Sequence, residues 1–163
     1  MLLRRSRARE VVLQLLYQDD LNSDRSLAPD LSFLKARLHK NDELVEFANS
    51  LLNGVRRNRA ELDELLSQKT ANWSLERMAA TDRNVLRLGA FELMFTDTPQ
   101  AVAINEAVEL AKRFGSKQSS QFVNGILDGL RPKDASESSD ENSDADSDAN
   151  SDIEIDPEAD GHD

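Results

Sequence analysis

The sequence predicts an all-α fold: a compact bundle of about seven helices in two helical subdomains, followed by a disordered acidic C-terminal tail. Three observations carry this. Apolar residues recur at intervals of three and four through residues 1–133, and no stretch shows the period-two alternation of a strand. Pro, Gly and short polar clusters cut that repeat into helix-sized lengths. From residue 134 onward the chain holds thirteen Asp or Glu, no Lys or Arg and no aromatic residue. Such a segment cannot bury enough apolar surface to offset its ordering entropy. The domains are therefore a helical body, 1–133, and a tail, 134–163.

Each element follows from its own residues. In "RAREVVLQLLYQ", Ala8, Val11, Val12, Leu15 and Leu16 form one face of a first helix that ends near Asp19–Asn22. After the polar loop "NSDRSLAPD", Pro29 suits the first turn of a second helix with Leu31, Leu34 and Leu38 as its buried stripe. Asn41 is an N-cap for the third, with Asp42 and Glu43 favoured by the helix dipole and Leu44, Phe47, Ala48, Leu51, Leu52 and Val55 facing inward. A short helix bearing Leu62, Leu65 and Leu66 precedes a break near Trp73. Thr81–Phe95 is apolar on most sides, which places it at the centre of the bundle. Pro99 opens "VAINEAVELAKRFG", which stops at Gly115, expected in the left-handed conformation. Ser119 reads as the cap of a last helix with Phe122, Val123, Ile126 and Leu127, ended by Pro132. Gly125 and Gly129, four apart in it, read as a site of close helix packing. The breaks at Gln68–Trp73 and Asp97–Pro99 divide the body into two halves.

Charge and composition narrow the function. The net charge is −11, but the body holds all 20 Lys and Arg and 18 of the 31 acids, a net +2. The acidity belongs to the tail and does not argue against nucleic-acid binding by the body. There is no Cys, so disulfides and thiolate chemistry are excluded. No apolar run behind the first arginines is long enough for a signal peptide, and none approaches the ~18 residues of a membrane span, so a cytoplasmic protein is expected.

Enzyme and cofactor signals are poor. The two His, His39 near a helix end and His162 in the tail, make no HExxH pair, and there is no nucleophile elbow or phosphate-cradling Gly loop. Asp144, Asp146 and Asp148 imitate the start of an EF-hand loop, but Ala149 stands where the turn needs Gly and Ile155 where it needs a bidentate Glu. No catalytic residue, metal or cofactor is expected.

The best local signal is an arginine cluster. Arg4, Arg5, Arg7 and Arg9 fall in six residues without an acid. Guanidinium forks hold phosphate and stack on bases, while cations at a helix start oppose the dipole and gain nothing in stability there. Arg5 and Arg9 share a helix face, and Tyr17, two turns on and close to that side, offers a stacking ring. Arg5, Arg7 and Arg9 are expected to be exposed at the helix start.

These residues carry a family resemblance over about residues 4–130. "RRSRAREVVLQLLYQ", "LLNGVRRNRAELDELL", "DRNVLRLGAFEL" and "PQAVAINEAVELAKRFG…SSQFVNGILD" resemble, in order and spacing, the blocks of the NusB family of transcription antitermination factors. The resemblance implies two packed helical bundles. It implies binding of a single-stranded boxA-type RNA together with the small-subunit ribosomal protein that doubles as NusE. It further implies a place in the RNA polymerase antitermination complex, promoting read-through in ribosomal RNA operons. Arg5, Arg7 and Arg9 match the family's arginine-rich motif, and Tyr17 its aromatic residue near that helix's end. Gln118, Ser119 and Phe122 match the RNA-facing region; Gln118 replaces an acid frequent in relatives, a change that favours RNA. Phe122 lies in phase with Ile126, so core packing and base stacking both stay open. Asn105 reads as a cap, and Glu106 as an ion-pair partner of Lys112 or a nearby Arg.

Two other classes compete. A similar helical domain precedes the catalytic domain of RNA cytosine methyltransferases, but that activity needs a cofactor-binding α/β domain and a Cys, neither present here. A nucleic-acid mimic acting through its acidic tail would not carry the basic helix start.

Overall fold

A computed structural model of the chain describes residues 2–22, 30–70 and 74–132. Every regular element among them is helical. Trp73, Pro29 and the acidic segment lie outside the described residues.

Helix α1 (Leu2–Leu21) buries Ala8, Val11, Val12, Leu15 and Leu16 as its spacing requires, and Leu13 as well. Helix α2 (Asp30–Arg37) reaches the core through Phe33, Leu34 and Leu38. Leu31 is exposed, which corrects the stripe read from the sequence: a helix of two turns has too little length to bury its first turn as well. Past α2 the Lys40 N–H donates to Lys35 O at 2.9 Å, and His39 and Lys40 both have φ of 55°. This is a helix-ending loop in which glycine is the usual residue.

Helix α3 (Asp42–Arg57) starts as its sequence dictates: Asn41 Oδ1 accepts the Leu44 N–H at 3.2 Å. It buries Val45, Ala48, Leu51, Leu52 and Val55, with Leu44 and Phe47 half-buried. Asn58 turns the chain within one residue, donating from its backbone and its side-chain amide to Gly54 O at 3.0 and 2.8 Å. Helix α4 (Arg59–Lys69) follows and buries Leu62 and Leu66; a 3₁₀ turn spans Leu75–Arg77.

Helix α5 (Ala80–Phe95) is central: every residue from Asn84 to Leu93 is buried, and α1, α3, α4, α6 and α7 pack around it. Two glycines permit this. A Cβ on Gly54 would lie 2.0 Å from the Phe91 ring, and one on Gly89 would lie 2.7 Å from Leu127 and 3.0 Å from Ala107. Gly125 and Gly129 do not pack as the sequence suggested. A Cβ at the first meets nothing within 4 Å and at the second only Lys69 Cδ at 3.8 Å, because both lie on the exposed side of α7.

Helices α6 (Gln100–Phe114) and α7 (Ser119–Leu130) complete the second half against α5. Gly115 is extended at φ −97°, not left-handed. It is needed for close approach: a Cβ there would sit 2.5 Å from Ser119 Oγ and 2.8 Å from Ala111 O. Helices α1, α3 and α4 on one side and α6 and α7 on the other pack on α5, and together they form one compact unit that ends at Arg131. No helix of the described residues is long and apolar enough to cross a membrane.

Candidate nucleic-acid interface

Helix α1 sends its arginines in different directions. Arg4, Arg5 and Arg7 are exposed, while Arg9 is 2% exposed. Arg9 falls on the face of Val12 and Leu16, three and seven residues on, and that face turns to the core. Its charge is met there by Glu92 of α5: Nε donates to Oε1 at 2.6 Å and Nη2 to Oε2 at 2.8 Å. Nη1 lies 3.7 Å from Glu106 of α6, which also accepts the Ser6 hydroxyl at 2.9 Å. Thr98 Oγ1 donates to Glu92 at 3.1 Å. The expectation that Arg9 is exposed like Arg5 and Arg7 is therefore corrected: Arg4, Arg5 and Arg7 are exposed and Arg9 is buried.

Arg5 and Arg9 do share a face, stacked over the Phe47 ring of α3 at 4.5 and 5.1 Å from its centroid. Tyr17 does not join that side. With Arg7, Glu10, Leu13, Gln14, Thr81 and Phe114 it lines a groove of about 390 Å³ between α1, the start of α5 and the end of α6. Tyr17 is 39% and Phe114 46% exposed. The Arg113 guanidinium stands 5.5 Å over the Phe114 ring and pairs with Glu10. Phe114 was not singled out from the sequence; it is in phase with the buried Ala107 and Ala111, so its spacing reads as core, and only its place in the last turn of α6 leaves the ring 46% exposed.

In the region before α7, Gln118 is exposed and occupies the N-cap position. Ser119 is buried and does not cap the helix: its Oγ accepts the Ser116 N–H at 2.8 Å and so closes the turn behind it. Phe122 is half-buried against the core, leaving part of its ring accessible. Asn105 lies within α6, exposed, and caps nothing; Glu106 pairs with Arg9, and Lys112 with Glu109 at 3.4 Å.

A second polar cluster went unread in the sequence. Asp20, near the end of α1, accepts from Arg59 at 2.8 Å, Arg83 at 2.9 Å, Asn84 at 2.8 Å and Arg87 at 3.0 Å. Arg87 also donates twice to Asp63 of α4, at 2.7 and 3.0 Å. Burial works against the Asp20 charge, but the Arg83 hydrogen bond, the nearby Arg87 charge and the Asn84 amide outweigh it and hold the carboxyl below its ordinary range. Burial likewise opposes the Arg87 charge, and Asp63 and Asp20 together push its pKa up. These ion pairs tie α1, α4 and α5 together, and they leave Arg83 and Arg87 engaged. No group of three or more His, Asp or Glu among the described residues could hold a metal ion.

Fold and surface together define an all-helical protein with exposed guanidiniums and rings along α1 and the end of α6. Residues 6–131 match the model of the NusB family. The chain is 45% identical over 138 residues to the transcription antitermination protein NusB of Anaeromyxobacter dehalogenans (strain 2CP-1), covering 82% of this chain and 97% of that one. Its fold is similar to that of T. maritima NusB, with a TM-score of 0.68 at 35% identity over 84% and 96% of the two chains. It is also similar to NusB in a crystal structure of the antitermination factors NusB and NusE in complex with dsRNA, with a TM-score of 0.66 at 27% identity over 80% and 97%. The chain belongs to the NusB family, a family of transcription antitermination factors and not of enzymes.

Proposed function

We propose that this protein binds a single-stranded boxA-type RNA jointly with the small-subunit ribosomal protein that acts as NusE. In this role it joins the RNA polymerase antitermination complex in the cytoplasm and promotes read-through of ribosomal RNA operons. The observation that carries the reading is the exposed edge of α1. There Arg4, Arg5 and Arg7 project from a helix whose Arg9 is locked inward, next to a groove with the rings of Tyr17 and Phe114 at its surface. Guanidiniums meet phosphates and exposed rings stack on unpaired bases. A family member of the same fold has been seen with NusE and dsRNA, which supports NusE and RNA as the classes of partner; that the RNA is single-stranded and boxA-type rests on the exposed rings and guanidiniums.

Within this reading the residues divide by role. Arg4, Arg5 and Arg7 contact the backbone of the strand; Tyr17 and the accessible part of Phe122 offer stacking; Gln118 hydrogen-bonds from the α7 N-cap. Arg9 and Ser119 are positioning residues, the first orienting α1 and the second shaping the Gly115–Gln118 turn. The body, 1–133, carries the activity, and the acidic tail, 134–163, lies outside the described residues. Fluorescence-anisotropy titration of labelled boxA-type RNA tests this, with and without the ribosomal partner. Binding tighter with both proteins than with either alone is expected, and no complex with the partner and no gain in affinity would overturn the reading.

A further inference from the structure

A cationic cavity lies where α1 passes the turn between α2 and α3. Arg4 and Arg7 from α1 and Arg37 and His39 from the end of α2 surround about 400 Å³, with Asn41 and Leu44 completing the wall. No carboxylate lines it. Arg4 and Arg37 have no ion pair among the described residues; Arg37 only stacks over Phe33, at 4.8 Å. Asp42 and Glu43 of the neighbouring turn lie outside the wall. Basic residues in the last turn of α2 suit the helix dipole, which accounts for the sign of Arg37. The dipole does not account for two more guanidiniums brought to the same cavity from another helix. Arg7 is paired with Glu10 at 2.9 Å, outside the wall, but Arg4 and Arg37 have no counter-charge among the described residues, and such charges gathered at one cavity repel one another unless an anion fills the space.

The backbone adds a second observation. His39 and Lys40 both hold φ of 55°, where a residue with a Cβ is strained and glycine is not. At the first of these positions the chain keeps an imidazole in the cavity wall in place of the relaxed residue.

We propose that this cavity binds a phosphodiester of the RNA strand, carrying its path from α1 onto the α2–α3 turn. The proposal rests on the RNA-binding reading above and extends its footprint. The experiment uses the full chain and two labelled single-stranded RNAs: a core oligonucleotide, and the same sequence extended by several nucleotides at either end. The extended RNA is expected to bind the unaltered protein more tightly. Arg37→Glu should weaken the extended RNA about tenfold, comparable to losing one charge-assisted hydrogen bond, and leave the core oligonucleotide unaffected. Arg37→Ala should lower the log–log salt slope of the extended RNA by ~0.7, the value for one phosphate contact on a single strand. Thermal unfolding of both variants checks that the fold is intact. Arg5→Ala keeps the two readings apart, since it should weaken both RNAs. If Arg5→Ala weakens both while Arg37→Glu binds both as the unaltered protein does, the cavity is not on the RNA path and the RNA reading stands. If Arg5→Ala also changes nothing, the RNA reading itself fails. Weaker binding of the ribosomal partner by Arg37→Glu in the absence of RNA would assign the surface to protein contact and overturn the proposal.

Discussion

Arg9 and Glu92 form a bidentate ion pair in the core, with side chains 3% and 2% exposed and donor–acceptor distances of 2.6 and 2.8 Å. The pair joins the first helix to the central one across 83 residues of sequence. Burying two charges costs several kcal/mol in desolvation, which their mutual attraction and hydrogen bonds offset. Removing Arg9 leaves Glu92 buried with only the Thr98 hydroxyl, and removing Glu92 leaves Arg9 buried with only the longer Glu106 contact for a counter-charge. Arg9→Ala and Glu92→Ala should each destabilise the protein by ~3–5 kcal/mol in urea unfolding. A loss under about 1 kcal/mol would show that water reaches the site.

The outward arginines should behave oppositely. Arg5→Ala and Arg7→Ala are expected to cost less than ~1 kcal/mol of stability each, the scale of a partly exposed cation–π contact or a surface ion pair. Each should lower the log–log salt slope of single-stranded RNA binding by ~0.7. Affinity that is unchanged across a salt series in both variants would remove this edge from the RNA site.

Asp20 gives a pH dependence whose sign is determined. Its carboxyl titrates below the ordinary aspartate value of 3.8 in the folded protein. The folded state therefore holds the charged form more strongly than the unfolded chain does. This contribution is fully present above the unfolded pKa and is lost as pH falls through the folded one. Asp20→Asn should be less stable than the unaltered protein near neutral pH, and the gap should narrow on acidification below roughly pH 4. A gap constant from neutral to acid pH would show that Asp20 acts through packing alone.

Two glycines make opposite predictions. Gly54→Ala drives a methyl group into the Phe91 ring and should cost ~1–3 kcal/mol. Gly125→Ala meets only solvent on a helix and should stabilise by ~0.5–1 kcal/mol. Thermal midpoints that moved in the same direction would contradict the packing described here.

The helices were legible in the sequence because an apolar residue buried on a helix recurs every three or four positions, and Val11, Leu52 and Leu127 obey that rule. The Asn41 cap was legible for the same local reason. What escaped was set by partners far along the chain. Nothing near Arg9 distinguishes it from Arg7 except its phase against Val12 and Leu16, and Glu92 lies in another block altogether. The same holds for Asp20 with Arg83 and Arg87. Gly115 was assigned a left-handed cap, the usual need at a helix end, when the demand was room for Ser119. The exposed edge of the candidate site was therefore read correctly as arginine-rich, but not which arginine serves the core.

The inward lock of Arg9 also changes the thermodynamics of recognition. Arginine-rich segments often bind RNA as unstructured arms that fold on contact, and part of the interaction energy is then spent ordering their backbone. Here the backbone is ordered in advance: α1 is tied to α5 by Glu92 and to α6 through the Ser6–Glu106 contact, just where Arg5 and Arg7 emerge. Only the guanidinium rotamers remain to be fixed when a strand arrives, which costs about 0.5–1.5 kcal/mol for each side chain immobilised. In the proposed RNA complex the buried arginine would thereby lower the entropic cost of binding for its exposed neighbours without touching the RNA itself.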